Sequence, residues 1–89
     1  MIYVLVSHPV QNFETWKPVF DSDQPRVKNA GLTLHNIFRS AENPNDVSIL
    51  FSAANKAVIE TCMQDPALPI LMEKSGVLAH PTVQFFNEA

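Results

Sequence analysis

The chain has 89 residues, a formal net charge of −3 at pH 7 and a pI of about 5.4, and 46% of its residues are hydrophobic against 17% charged. This size and composition predict one folded domain, residues 1–89, and exclude the low-hydrophobicity, high-charge regime of disordered proteins. The six Lys and Arg residues are scattered along the sequence, which argues against a nucleic-acid partner.

The cysteine content and the N-terminus indicate the cellular compartment. Cys62 has no second cysteine for a disulfide, a redox pair or a zinc knuckle, so we expect a small buried hydrophobe there. Residues 1–8 lack the basic region and cleavage site of a signal peptide, and no apolar run approaches about 18 residues. We therefore expect a cytoplasmic protein with no membrane partner.

The first strand is predicted from Ile2 to His8, where a near-continuous apolar run is typical of a central strand. Asn12 is the predicted N-cap of the first helix, with its side chain accepting from the backbone N–H of Thr15. An aromatic stripe follows at helical spacing. It consists of Phe13, Trp16 and Phe20.

Two prolines interrupt that helical pattern. Pro18 has no N–H for the carbonyl of Glu14, so we expect a kink or a short first turn, with Pro25 restarting the helix at its first position. Gly31 then supplies the left-handed residue that closes the helix.

Residues 32–51 predict two strands joined by the turn 43–46, in which Pro44 presets φ. From the alternation, we assign one set of residues to the helix side. This set is Leu32, Leu34, Asn36, Phe38, Val47, Ile49 and Phe51. The opposite, open face then carries Tyr3, Leu5, His35, Ile37, Ser48, Leu50, Gln84 and Phe86.

The second half of the chain repeats the pattern of the first. A second helix is predicted to open at Ser52 or Ala53 and to break at Asp65-Pro66. A further helical piece, 67–75, is closed by Gly76.

The last strand is predicted over residues 82–87, which gives the order β-α-β-β-α-β. With right-handed crossovers, this order predicts a ferredoxin-like α+β fold. Strands one and three lie centrally in a four-stranded antiparallel sheet, and the helices cover one face. The other face carries too many apolar side chains to be exposed to water, so we expect a homodimer that packs sheet against sheet.

Three segments carry a resemblance to a known group of proteins. They are Val10-x-Asn12-Phe13-x-x-Trp16, residues 38–47, and Asp65-Pro66-x-Leu68-x-x-x-Met72-x-x-x-Gly76-Val77. This pattern resembles small bacterial members of the dimeric α+β barrel superfamily, which includes the antibiotic biosynthesis monooxygenase-like proteins. The resemblance implies a homodimer whose two sheets form a barrel, with a ligand pocket in each subunit between sheet and helices. Its members range from cofactor-free monooxygenases, cyclases and isomerases to haem-degrading enzymes and proteins with no known activity.

Two histidines are the candidate catalytic residues. His8 ends the first strand and His80 precedes the last, so antiparallel pairing is predicted to bring both to one sheet edge. Around His8 we expect a substrate-binding wall of Trp16, Phe20 and Asn36. A neutral imidazole there can act as general base on an acidic phenol or enol. The alternative is that each histidine is a turn residue bonded to backbone or water, and that Trp16 is a core residue.

Other chemistry has no support in the sequence. The three histidines lack the ligand spacing of a zinc site, and two glycines do not make a phosphate loop, so we expect no metal and no cofactor. We expect Arg39, near the hairpin tip, at the sheet end far from His8, paired with Glu42 or Asp46 or reaching across the dimer interface.

These observations support two hypotheses. The first is a homodimeric enzyme with a hydrophobic pocket, a cofactor-independent monooxygenase, cyclase or isomerase acting on a small aromatic or polyketide-like molecule. The second is a non-catalytic dimeric ligand-binding or structural module.

Overall fold

A computed structural model describes all 89 residues, with elements in the order β-α-β-β-α-α-β. The strands are β1 (Ile2–Pro9), β2 (Thr33–Arg39), β3 (Asp46–Ala53) and β4 (Thr82–Asn87), and the helices are α1 (Phe13–Asn29), α2 (Lys56–Met63) and α3 (Ala67–Ser75). The sheet is antiparallel in the order β2-β3-β1-β4. The predicted ferredoxin-like topology, with β1 and β3 in the centre, is confirmed.

The ends of α1 are fixed by the residues that the sequence singles out. The Asn12 side chain accepts a hydrogen bond from the Thr15 N–H at 3.2 Å. At the other end Gly31 has φ of 98°, and the Leu32 N–H donates back to the Val27 carbonyl at 3.2 Å. This bond belongs to the Schellman motif, which ends a helix on a left-handed residue.

The predicted short first turn and restart at Pro25 are wrong, because α1 is one helix of 17 residues that contains both Pro18 and Pro25. Each proline removes the N–H that would bond the carbonyl four residues earlier, at Glu14 and Asp21. All four residues are exposed, so water can bond the two freed carbonyls. The buried face of the helix keeps its packing, and the helix continues.

β2 contains a β-bulge that the alternation of its residues does not reveal. Leu34 pairs with Phe51, and the next residue of β2 to pair is Asn36, opposite Leu50. His35 is therefore an extra residue on this strand. Beyond it the alternation between the two faces of the sheet shifts by one.

The bulge reverses the predicted orientations after it. Ile37 pairs with the buried Ile49 and packs against the core, whereas Phe38 pairs with Ser48 and is 49% exposed. The assignments of Phe38 and Asn36 to the helix side, and of Ile37 to the open face, are therefore wrong.

The start of α2 also differs from the prediction. Ser52 and Ala53 still belong to β3, and the helix begins only at Lys56. Asn55 is the N-cap, with its side chain accepting from the Val58 N–H at 3.1 Å. Serine caps a helix about as well as asparagine, but Ser52 is held in the sheet by pairing with Tyr3 and Thr33, which explains the later start. The bounds of α3 and β4 are as predicted.

The core lies between the helices and one face of the sheet, and it includes Cys62 as the sequence predicts. Its buried hydrophobic residues are Val4, Val10, Trp16, Val27, Leu32, Val47, Ile49, Phe51, Ala53, Ile59 and Cys62. None of the three helices has the length and apolar character needed to cross a bilayer.

Candidate functional site

A cavity of about 110 Å³ lies between the sheet and the helices. Its walls come from β1, β3 and all three helices, and 16 of its 21 lining residues are hydrophobic. The other five are His8, Asp23, Arg26, Ser75 and Pro81. An apolar wall with a few polar groups is the usual composition of a site for a small organic ligand.

His8 places an imidazole in that wall. It lies near the end of β1 on the same side as Val4 and Val6, because side chains two apart share a face of a strand. The residue is 7% exposed, and its Nδ1 has no hydrogen-bond partner. Burial lowers the pKa of His8, although the nearby backbone of His8 and Pro9 partly opposes this effect. The ring is therefore neutral at pH 7, with one nitrogen able to accept a proton.

Trp16 and Phe20 form an aromatic wall beside His8, as the sequence predicts. The ring centroids of His8 and Trp16 are 5.7 Å apart at an interplanar angle of 65°, an edge-to-face contact. Trp16 and Phe20 stack with centroids 4.7 Å apart, because residues four apart lie on one face of α1. Both residues line the cavity.

The position of Trp16 relative to His8 is set by the hairpin turn. The Val10 N–H, just after β1, donates to the Asn45 carbonyl at 2.7 Å. The side-chain oxygen of the same Asn45 accepts from the Phe13 N–H, at the first residue of α1, at 3.1 Å. One turn residue therefore connects the end of the strand that carries His8 to the start of the helix that carries Trp16.

The hairpin tip lies at the same sheet end as His8, which corrects the expectation that it lies at the far end. His8 pairs with Val47, and Val47 pairs with Arg39. The physical reason is the antiparallel arrangement of β1 and β3, in which the end of one strand meets the start of the other.

Arg39 also differs from its predicted pairing. It forms no ion pair with Glu42 or Asp46. Its guanidinium carbon lies 4.0 Å from the centroid of the Phe13 ring, and its Nε donates to the Pro44 carbonyl at 2.9 Å. The side chain thus packs over the start of α1 as a cation–π contact.

Two predicted site residues lie outside the cavity. Asn36 is exposed on the opposite face of the sheet, because of the bulge. His80 is exposed in the loop before β4, beyond the end of the β1–β4 ladder, and lines a separate shallow groove. Its neighbour Pro81 lines the cavity instead. The structure brings His8, Trp16 and Phe20 together, and it does not add Asn36 or His80 to them.

Sequence reasoning missed a charged cluster that also borders the cavity. Arg26 donates from Nε and Nη2 to the two carboxylate oxygens of Asp23, at 2.7 and 2.8 Å, and from Nη1 to Asp65 at 3.1 Å. These hydrogen bonds, those to Asp23 above all, raise the pKa of Arg26. The i, i+3 spacing of Asp23 and Arg26 on α1 is the one signal in the sequence that indicates part of this cluster.

Cys62 lies beside the cluster, with its Sγ 3.8 Å from Nη1 of Arg26. Burial raises the pKa of the Cys62 thiol, and the positive charge of Arg26 only partly opposes this effect. The thiol is therefore protonated near neutral pH and is a poor nucleophile.

The same fold occurs in several solved structures. SnoaB, a cofactor-independent oxygenase from Streptomyces nogalater, matches with a TM-score of 0.77 at 10% identity, over 99% of this chain and 92% of that chain. A protein from Bordetella bronchiseptica described as a proposed antibiotic biosynthesis monooxygenase matches with a TM-score of 0.76 at 16% identity, over 99% and 96%. An uncharacterized NIPSNAP domain protein from Burkholderia xenovorans matches with a TM-score of 0.70 at 12% identity, over 100% and 95%.

At these identities the similarity shows the fold alone. It is the fold of the antibiotic biosynthesis monooxygenase-like proteins, which confirms the resemblance drawn from the sequence. No protein-family model matches the sequence, and no curated protein matches it.

Proposed function

We propose that the protein is a cofactor-independent monooxygenase that acts on a small aromatic phenol or enol in this cavity, with His8 as general base. The observation that carries the proposal is a buried, neutral imidazole in a largely apolar wall, in edge-to-face contact with Trp16. The likeness to SnoaB, described as a cofactor-independent oxygenase, supports it.

The first step would be proton transfer from the substrate hydroxyl to the unprotonated ring nitrogen of His8. The product is a phenolate whose ring carries the electron density, with a protonated imidazole beside it. Because burial lowers the pKa of His8, the transfer is favourable only from an acidic hydroxyl. The same step would also begin a cyclase or isomerase reaction on an enol.

Oxygenation of the phenolate needs no external reductant. A phenol with a free para position and one O2 give a para-quinone and one water: one oxygen atom bonds to the para carbon, the other leaves as water, and the phenol loses one hydrogen from its hydroxyl and one from the para carbon. The substrate itself supplies the two electron pairs that reduce O2. The apolar wall favours this chemistry, because excluding water protects the reactive anion from reprotonation.

We propose further that the protein acts as a cytoplasmic homodimer through the open face of the sheet. Large apolar side chains there have no cover within the subunit. Phe38 is 49% and Phe86 is 46% exposed, and the half-buried Tyr3, Leu5 and Leu50 lie between them. A contiguous apolar surface of this kind is typical of an interface between subunits.

The proposed activity predicts oxygen uptake and quinone formation when the protein is mixed in air with a panel of acidic phenols. Replacing His8 by Phe removes the base and should lower the rate by about 10²–10⁴-fold. His80→Phe, at an exposed position, is the matched control and should retain the parent rate. An oxygen electrode and quinone absorbance provide the two readouts. Ligand binding without oxygen uptake above the spontaneous rate would instead support a non-catalytic binding module.

A further inference from the structure

We infer that the ligand of this cavity is an uncharged phenol with a single aromatic ring. This inference rests on the proposed role of His8, and it narrows the substrate class by size, charge and hydrogen bonding. Each of these limits comes from a different group of residues in the wall.

The size limit comes from the volume between the walls of the cavity, which is partly open to solvent. The cavity holds about 110 Å³, on the scale of the roughly 150 Å³ engineered cavity in another protein that binds one benzene molecule. Val4 and Ile59 line it from opposite sides, and both are 0% exposed. Close-packed walls of this kind do not yield by the width of another ring without losing contacts elsewhere. One ring fits between these walls, and the other rings of a three-ring ligand would lie outside them.

The charge limit comes from the cluster around Arg26, the only cation in the cavity wall. Its Nε and Nη2 are both committed to Asp23, and its Nη1 is committed to Asp65. Two carboxylates and one guanidinium leave this corner with a net charge of −1, and His8 is neutral. A ligand carboxylate would therefore lose its water and gain no free positive partner, which is costly.

The hydrogen-bonding limit comes from comparing His8 with Ser75, the other small polar residue of the wall. Ser75 is 4% exposed, and its hydroxyl already donates to the Met72 carbonyl at 3.1 Å. Nδ1 of His8 is fully covered, so a ligand in the cavity cannot reach it, and Nε2 is the ring nitrogen that is left without a partner and uncovered. One hydroxyl on the ligand, donating to an unprotonated Nε2, matches this one unused polar group.

Four probes separate these limits: p-cresol, toluene, 4-hydroxybenzoate and the three-ring phenol 9-phenanthrol. The indole N–H resonance of Trp16, the only tryptophan of the chain, reports occupancy of the cavity in NMR titrations. We expect p-cresol to bind about tenfold more tightly than toluene, as one added hydrogen bond allows. We expect 4-hydroxybenzoate and 9-phenanthrol to bind more weakly than p-cresol in the same titration.

The variant His8→Phe tests the hydroxyl contact, and its affinity for p-cresol should fall to that for toluene. His8→Leu is the second variant should the larger ring disturb folding, and His80→Phe is the control. Binding of 9-phenanthrol or 4-hydroxybenzoate as tight as that of p-cresol would overturn the inference while leaving the base role of His8 intact. Binding of p-cresol that is equal in the parent and both His8 variants would overturn the proposed function itself. No binding of any probe to the parent would overturn the inference alone.

Discussion

Among single residues, His8 is the one with a buried side-chain polar atom that has no hydrogen-bond partner. A buried polar atom without a partner costs about 1–3 kcal/mol, and Nδ1 of His8 is such an atom. A leucine or phenylalanine at the same strand position would avoid that cost. Proteins accept local costs of this kind mainly at functional sites. His8 is therefore a stronger functional candidate than the aromatic side chains around it, which are also ordinary core residues.

The buried imidazole makes stability depend on pH. The pKa of His8 in the folded protein lies below the ordinary 6.5, because burial disfavours the charged form. The unfolded chain then binds a proton that the folded protein does not. We therefore expect the free energy of unfolding to fall as pH drops through about 6.5 towards the lower folded pKa, with a slope from this residue of at most about 1.4 kcal/mol per pH unit.

Urea titrations of the parent and of His8→Phe between about pH 7.5 and pH 5.5 measure that slope. The variant should show a smaller loss of stability over this range, because its ring does not titrate. His80→Phe, a substitution of the same kind at an exposed position, is the matched control. A His8→Phe variant with the parent slope would contradict a buried neutral imidazole.

How much of the site is visible in the sequence depends on the range of the interactions that form it. The i, i+4 spacing of Trp16 and Phe20 is local, so their shared wall is predictable, and the alternation along β1 places His8 beneath them. The partners of Arg26 are different. Asp65 is 39 residues away in the chain, and only the packing of α1 against the α2–α3 junction brings the two together.

At the level of secondary-structure elements, the two glycines at the helix ends form the same C-terminal motif. Gly76 ends α3 with φ of 83°, and the Val77 N–H donates back to the Met72 carbonyl at 3.0 Å, as the residue after Gly31 does at the end of α1. In each half of the chain this turn directs the backbone away from a helix and towards the sheet. Only glycine adopts such φ values without steric cost.

Replacing Gly31 by alanine should therefore destabilise the protein, by about 1–2 kcal/mol for the left-handed backbone alone. An added Cβ would also lie 3.1 Å from Cγ1 of Val58 on α2, closer than an ordinary contact. Urea denaturation of Gly31→Ala measures the total cost.

The double variant Gly31→Ala, Val58→Ala separates the two causes. Relative to Val58→Ala, the added alanine at position 31 should cost less than it does in the parent, because the side chain that it meets is gone. Equal costs in the two backgrounds would show that the contact with Val58 contributes nothing and that the backbone conformation carries the whole effect.

On strand β2, the alternation of polar and apolar residues does not predict the structure. Caps and turns depend on a few neighbouring residues, so Asn12 and Gly31 are recognised correctly. The bulge at His35 depends on which residues of β3 lie opposite β2 in the ladder. His35 accepts or donates a 2.6 Å hydrogen bond with Ser52 Oγ and lies 5.5 Å from the Tyr3 ring, on the open face. These partners come from two other strands, and no pattern within β2 indicates them.

For the whole molecule, the order of elements and the handedness of the crossovers were enough to predict the topology. The prediction succeeded because right-handed connections leave few arrangements open to two β-α-β units. The open face was also predicted, although the bulge exchanges Ile37 for Phe38 there. The exchange makes this face more aromatic, which strengthens the case for a second subunit.

The proposed homodimer predicts a sedimentation mass near twice the 9.9 kDa of one chain. Phe38→Lys should lower that mass towards one chain, because a lysine at the proposed interface must leave water without a partner. Ile70→Lys is the matched control: Ile70 on α3 is 69% exposed and lies away from the sheet. A parent that sediments as a 9.9 kDa monomer at every concentration would refute the dimer.

The pairing of β1 with β4 has a consequence for the order in which the chain folds. Ile2 pairs with Asn87, so the sheet joins residues from the two ends of the sequence. Contacts of such long range form slowly, because the entropy of closing the loop between them is lost before the contacts can stabilise the chain. Until β4 docks, one edge of the central strand β1 presents unpaired N–H and C=O groups that can recruit another strand. A chain truncated before Thr82 should therefore expose this edge permanently, and we expect it to aggregate rather than to fold with one strand missing.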